Sequence, residues 1–288
     1  MLLSVLIVNW NTTGLLTQCL KSVYRECNAG RLADSQIIVV DNASEDFSLE
    51  DLRAQFPEVV FIRNERNEGY ARGNNQAIEC ACGKYFLLLN PDTELTPGSL
   101  DVLIDFMEAH PETGAAGAKL VRPNGELDHS CRGFPAPLSL AFEYFFISRL
   151  FPKSKLFGAY RMDWFGYDRI MEVDQPMASC LIARKTVFDQ VGGFDERFPI
   201  FFNDVDWCFR VKKAGWKIHF IPNAVVVHHG AASTRQVKEK MIEESHRSLA
   251  EYYRKHYSGW ANLPARALVG LGVWLNRHLL HRRGRELK

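Results

Sequence analysis

Four short apolar runs, separated by stretches of helical character, constrain what this chain can fold into more than any other feature. They are Leu2–Val8, Gln36–Asp41 (QIIVVD), Glu58–Arg63 (EVVFIR) and Lys84–Leu89. Between the first two, Thr13–Arg25 puts Leu15, Leu16, Cys19, Leu20 and Val23 on one side of a helix. Ala71–Ala81 and Pro97–His110 read as further helices, with Pro97 suited to a helix start. Strands that are apolar throughout, rather than alternating, are covered on both faces, so they belong to a parallel sheet between helices. Right-handed crossovers then give a doubly wound α/β domain. The 288 residues are 47% hydrophobic, enough for a substantial core of this kind.

Ligands of such sheets bind beyond the carboxyl ends of the strands. Strand one ends at Asn9, strand two at Asp41, and strand four at Asn90-Pro91-Asp92. A single Asp at a strand end reads as a turn or helix-cap residue, and Asn-Pro-Asp is a good turn. Several polar groups on one edge point instead to a polar ligand. No GxGxxG or P-loop follows the first strand, which disfavours a dinucleotide or P-loop enzyme. The richest turn segment is Asn67–Asn75, which contains Gly69, Tyr70 and Asn74. Its glycines would let backbone approach a ligand; read blandly, it is a strand-to-helix loop.

A second polar centre lies at Phe201–Arg210, where Asn203 precedes Asp204 and Asp206. Acidic residues at a helix N-terminus favour the helix dipole, which explains one of the two carboxylates without requiring both. Phe209–Ala214 continues as helix. Lys217–Pro222 is a short strand, and Ala224–Val227 leads into His228 and His229. Met177–Ala183 is a buried strand candidate. The region from 120 to 176 is aromatic-rich and irregular, and reads equally as a lid or acceptor-binding insertion and as core with awkward connections.

These groups suit one reaction class. Asp92 and a His could hold a divalent cation, Mg²⁺ through carboxylate and phosphate oxygens, or Mn²⁺ if imidazole joins. That cation would neutralise a departing diphosphate. A separate carboxylate could take a proton from an attacking hydroxyl. The sum is group transfer from a nucleotide-activated donor.

The net charge of +1 gives no reason to expect nucleic acid as a partner. The seven cysteines lack CxxC spacing and read as reduced thiols. The apolar N-terminus has no basic leader or cleavage site and reads as a strand. No window reaches the roughly 18 apolar residues of a spanning helix. The expectation is a cytoplasmic protein.

In order, SVLIVNWN, IIVVDNASED, NERNEGYARGNNQAI, FLLLNPDTEL, MASCLIARKTVFDQVGGFDERF, FFNDVDWCFRVKKAGW and VVVHHGAAST make a set. Together they resemble family 2 glycosyltransferases of the GT-A fold, in particular the rhamnosyltransferase-like branch. The resemblance spans residues 2 to 257 and implies a mostly parallel sheet with helices on both faces. It makes Asp41 the reader of the nucleobase and places Asn9, Asn67, Gly69, Tyr70 and Asn74 on the donor side. Asn90-Pro91-Asp92 stands where the family has DxD, so Asp92 becomes a metal ligand and Asn90 a ribose contact. Asp204 matches the catalytic base and His228 the metal-ligating His of the third motif. Ser179, Asn203 and Asp206 fall on the acceptor side, Asn203 where many members have Glu and Ser179 where many have Gly. The implied reaction is inverting, metal-dependent transfer from a nucleotide sugar. The donor implied is dTDP-L-rhamnose, with UDP- or GDP-sugars as other possibilities. The implied acceptor is a glycan on a polyprenyl diphosphate lipid, for O-antigen or another cell-wall polysaccharide. The rival reading is a non-catalytic sugar-nucleotide-binding or scaffold protein.

Residues 1–257 are thus expected to form the catalytic domain. Residues 258–288 read as a separate helical tail, with Leu268, Leu271, Leu275 and Leu279 at helical spacing, Trp274 among them, and five arginines. A basic amphipathic helix suits the inner membrane surface, or else packs on its own domain or a partner.

Overall fold

The computed structural model describes residues 1–27, 32–230 and 238–264, together with 266, 267, 270 and 271. The first half runs β1 (Leu3–Asn9), α1 (Thr13–Cys27), β2 (Gln36–Asp41), α2 (Leu49–Gln55), β3 (Val60–Arg63), α3 (Tyr70–Cys80), β4 (Tyr85–Leu89), β5 (Thr93–Leu95) and α4 (Ser99–Ala109). Then follow β6 (Thr113–Val121), β7 (Leu127–Asp128), β8 (Cys131–Arg132), α5 (Pro137–Tyr144), α6 (Ile147–Leu150), β9 (Met171–Glu172) and β10 (Gln175–Pro176). The chain continues through β11 (Cys180–Arg184), α7 (Lys185–Val191), α8 (Asn203–Lys213), β12 (Lys217–His228) and α9 (Lys238–His256).

The main sheet has the order β3-β2-β1-β4-β11-β6-β12-β5, with β7 and β9 added at the side. β3, β2, β1 and β4 are mutually parallel, as the apolar runs predict, and β6 and β12 are parallel to each other. β11 runs against both neighbours, so the sheet is mixed at its centre. Separate cores fill the two faces. One gathers Leu16, Leu20 and Val23 of α1 with Leu100, Leu103 and Met107 of α4. The other gathers Ala71 and Ala77 of α3 with Trp207 and Val211 of α8.

Several elements depart from the sequence reading for physical reasons. β6 carries TGAAGAKLV, whose small residues have low strand propensity, yet it is a central strand. Close approach demands those small residues: a Cβ on Gly117 would sit 2.5 Å from the Pro176 side chain. Lys217–Pro222 and Ala224–Val227 are one strand, with a register shift between Ile221 and Val225 that accommodates Pro222. Pro97 lies just outside α4, whose N-cap is Gly98 in the left-handed region. The irregular stretch divides: Cys131, Phe165, Tyr167 and Val173 belong to the core, and α5 and α6 form an insertion that carries exposed side chains.

The strand ends dictate where a site can form. β1, β2 and β4 point the same way, so Asn9, Asp41 and Asn90 share one edge. β12 ends with His228 paired to Thr93 of β5, beside Asp92. Among the described residues no helix is long and apolar enough to cross a membrane. Of the tail, Leu271 is half exposed; Leu268, Trp274, Leu275, Leu279 and the arginines beyond 271 lie outside the described residues.

Candidate active site

A cleft of about 720 Å³ opens at this edge. Asn9, Trp10, Asn42, Asn67, Gly69 and Tyr70 line one side. Asn90, Asp92, Asp128 and His228 form its floor, and Ser179, Asn203 and Asp204 the opposite side. Elements distant in sequence thus bring most of the expected residues together.

The floor is organised around His228. Its Nε2 lies 3.6 Å from Asp92 Oδ1, and its Nδ1 lies 2.8 Å from Asp128 Oδ2. Burial lowers the imidazole pKa, but the hydrogen bond with Asp128 and the nearby charge of Asp92 overcome it and hold it at about 9. Asp128, unremarked in the sequence, is held below the usual carboxylate range by His228, against the effect of its own burial. A carboxylate on one ring nitrogen fixes which nitrogen faces a ligand, the arrangement found around metal-binding histidines. Backbone fastens the same corner, the His229 amide donating to the Asp92 carbonyl at 2.9 Å. His229 itself turns away to Glu94, 2.7 Å distant.

This donor set fits a divalent cation that takes its other ligands from a diphosphate. One carboxylate, Asp92, and one oriented imidazole, His228, would hold it from the protein side. Among the described residues no group of three or more acidic, His or Cys side chains could enclose an ion unaided.

The wall at Asn67–Tyr70 rests on a close backbone approach. Gly69, the N-cap of α3, has φ +89°, and a Cβ there would meet the Pro199 carbonyl oxygen at 2.9 Å. Only glycine satisfies both conditions. The next turn is tied to the same carbonyl by the Ala71 amide at 3.1 Å. Asn42 donates to the Gly69 carbonyl at 3.1 Å, and the Asn67 side chain accepts from the Gly69 amide at 2.9 Å. Tyr70 donates to Asn90 at 3.1 Å, and Asn90 donates to Ser179 at 3.0 Å, linking the two walls of the cleft.

On the opposite wall the Asn203 amide donates to the carbonyls of Phe198 and Ile200 at 3.2 and 2.8 Å. A Glu at this position could not donate, so Asn203 builds the loop that carries Phe202 at φ +68° into α8. Asp204 is half-buried in the cleft wall. It accepts from the Val205 amide at 2.9 Å and the Ala178 amide at 3.5 Å, and among the described residues it has no basic partner. Burial raises its pKa above the ordinary carboxylate value, against those amides, which lower it.

Three expected residues stand behind the wall. Asp41 is fully buried, accepts from Asn9 and Ser44 and lies 3.8 Å from Arg63. Asn9, Trp10 and Asn42 face the cleft at that strand end instead. Asn74 donates to the Tyr70 carbonyl inside α3. Asp206 is fully buried and bound to Arg210 at 2.8 Å, Lys255 at 2.6 Å and His256 at 2.7 Å. It locks α9 onto α8 rather than facing an acceptor. Trp10, Asn42, Arg122, Asp128 and Gln175 are among the cleft residues that sequence reasoning missed. Asn42 was legible as the neighbour of Asp41; Asp128 carries no local signal, because its partner is 100 residues away.

A model of glycosyl transferase family 2 matches residues 4–149. The chain belongs to glycosyl transferase family 2. Its enzyme class is therefore nucleotide-sugar glycosyltransferase, and its mixed, mostly parallel sheet is the GT-A fold. The family 2 relatives include an N-acetylglucosaminyl-diphospho-decaprenol L-rhamnosyltransferase of Mycobacterium tuberculosis, 30% identical over 85% of this chain and 83% of that protein. Rhamnosyltransferase WbbL of Escherichia coli is 24% identical over 64% of this chain and 69% of its own. Among solved family folds, the mannosyltransferase PcManGT of Pyrobaculum calidifontis, in complex with GDP-Man and Mn²⁺, superposes with a TM-score of 0.58. That match covers 99% of this chain and 79% of the other, at 15% identity.

Proposed function

We propose that this enzyme transfers L-rhamnose from dTDP-L-rhamnose, with inversion, to a hydroxyl of a glycan carried on a polyprenyl diphosphate, in cell-surface polysaccharide synthesis. The observation that carries the chemistry is the position of Asp204, a carboxylate without a basic partner among the described residues, across one cleft from the Asp92–His228 pair. The mycobacterial relative, named for rhamnosyl transfer to a diphospho-decaprenol glycan, supports the sugar and the acceptor class.

A single in-line displacement needs one base. The acceptor hydroxyl attacks the anomeric carbon, Asp204 takes its proton, and the bond to the diphosphate oxygen breaks with its electron pair. A raised pKa suits Asp204 to that task, because a stronger base accepts the proton further along the reaction. Mg²⁺ or Mn²⁺ between Asp92 and His228, when bound, neutralises charge on the leaving nucleoside diphosphate. Asn9, Trp10, Asn42, Asn67 and Tyr70 form the nucleoside side, and Asn90 the ribose contact. Residues 1–257 are the catalytic unit in this reading, and the enzyme works at the membrane surface where its acceptor lies.

A donor screen tests it. Purified enzyme is incubated with dTDP-rhamnose, UDP-sugars and GDP-sugars in Mn²⁺, Mg²⁺ or EDTA, and nucleoside diphosphate release is followed with and without a lipid extract. The expected outcome is release from dTDP-rhamnose that EDTA abolishes and Asp204→Asn abolishes. Release from a different donor replaces the rhamnosyl assignment, and EDTA-resistant release removes the cation.

A further inference from the structure

The insertion between β8 and β9 carries an apolar surface that the cleft does not use. Leu150 is 73% exposed, Leu156 60%, Phe146 54%, Phe151 52% and Phe145 47%. These five residues fall within twelve positions of one another, which concentrates exposed apolar side chains in one short segment.

The segment is held out by structure. Phe146, a bulky residue, sits in the left-handed region at φ +62°, where L side chains are strained, and its ring projects to the surface. Phe157 lies 5.3 Å from Phe151 and 5.0 Å from Phe142, ring centre to ring centre, and supports the cap from beneath. Glu143 ties the cap to its base through Arg161 and Ser148, both at 2.7 Å. A strained aromatic on a braced scaffold is not a frayed loop.

The charge identifies the partner. From Tyr144 to Met162 there are four basic residues and no acidic one, in a chain whose net charge is only +1. Arg161 is paired inward, which leaves Arg149, Lys153 and Lys155, none with a carboxylate partner among the described residues. Arg149 lies over the Phe146 ring at 4.9 Å and Lys155 over Trp164 at 5.3 Å, so both cations stand among the aromatics. Phenylalanine and leucine with interleaved basic residues suit the headgroup boundary of an anionic bilayer.

We propose that the α5–α6 cap, through Phe145, Phe146, Leu150, Phe151 and Leu156 with Arg149, Lys153 and Lys155, docks the enzyme on an anionic lipid bilayer. The cap adjoins the acceptor wall. Tyr144 and Tyr160 of the insertion pack in one cluster with Phe202 and Val205, the residues that flank Asn203 and Asp204. Docking there brings the Asp204 side of the cleft to the lipid surface. This advantage rests on the lipid-linked acceptor proposed above; the surface itself does not.

The test is co-sedimentation of the full chain with vesicles of phosphatidylcholine alone or enriched in phosphatidylglycerol. Wild type is expected to bind the anionic vesicles and to be released by salt. Each basic charge near such a surface changes partition by roughly fivefold, so Arg149→Gln with Lys153→Gln and Lys155→Gln weakens binding about a hundredfold. Leu150→Glu with Phe151→Glu abolishes it, and so does Leu150→Glu with Leu156→Glu, which leaves the Phe151–Phe157 contact in place and the melting curve unchanged. Wild type that ignores anionic vesicles overturns the proposal, as do variants that bind as well as wild type. A concentration-dependent dimer that the Leu150→Glu, Phe151→Glu variant loses, without vesicle binding, replaces the bilayer by a second copy of this chain. Rhamnosyl transfer to a short-chain, water-soluble acceptor reads the function separately: the cap variants retain it if the function is right, and wild type lacks it if the function is wrong.

Discussion

At the scale of the residue, the reaction depends on how differently the cleft treats its carboxylates. Asp92 and Asp128 both face His228, whereas Asp204 has, among the described residues, no basic partner and is pushed toward its protonated form by burial. A base works deprotonated, and a raised folded pKa means the proton is lost at higher pH. The acid limb of kcat/KM is therefore expected above the value of about 4 usual for a carboxyl group, as a pH–rate profile will show. Asp204→Asn is expected to lower kcat by about 10²–10⁴-fold while the donor Kd changes little, measured by turnover and calorimetry. Asp128 makes a different prediction. It orients His228 from the cleft floor, so in the proposed reading Asp128→Asn weakens Mn²⁺ binding by about 10–100-fold in a titration with nucleoside diphosphate present. Nothing adjacent to Asp128 in sequence announces this role, because the partner that gives it meaning arrives on β12. Asp41 and Asp206 are the converse. Both look exposed to chemistry in one dimension and prove to be buried anchors in three.

Among elements, α9 depends on one buried carboxylate. Asp206 takes Lys255 and His256 from α9 and Arg210 from its own helix, and Asp195 takes Lys255 and Arg197 nearby. Removing one side of such a pair leaves charge buried without a partner, so Asp206→Asn costs about 3–5 kcal/mol in denaturant melts. Burial raises both carboxylate pKa values, but the basic partners win and both lie below the ordinary value. A depressed folded pKa stabilises above the unfolded pKa of about 3.9, and that stability is lost as pH falls through the folded pKa. Melting temperature is expected to fall below pH 4 in wild type and to fall less steeply in Asp206→Asn. On the donor side, Gly69→Ala strains both φ and the Pro199 contact, and destabilises by about 1–3 kcal/mol with a raised donor KM. The elements themselves were legible where side chains decide them. β1, β2 and β4 are continuous aliphatic runs and could be little else. β6 was not, because its neighbours across the sheet require alanine and glycine, the residues that carry least strand signal. The antiparallel direction of β11 was hidden too, since a buried strand looks the same whichever way it runs.

For the whole molecule, the sheet order explains why the site lies where it does. Parallel β1, β2 and β4 deliver one set of polar ends, and β12 returns from across the sheet to place His228 among them. α9 completes the unit through its cluster with Leu140, Phe198 and the residues around Phe202. Truncation after Tyr257 is accordingly expected to leave the melting temperature and turnover on a soluble acceptor unchanged, whereas removal of α9 lowers both. A thermal melt and an assay of the two truncated proteins check this.

The Pro199 carbonyl has a wider consequence. It accepts the amide of Ala71 on the nucleotide side and belongs to the loop that leads into Asp204 on the other. In the proposed reading, the nucleotide wall is thus fastened to the same loop that delivers Asp204. Attempts to retool the enzyme for a new sugar nucleotide by exchanging residues 67–70 will alter acceptor preference as well, and the two specificities will have to be redesigned together.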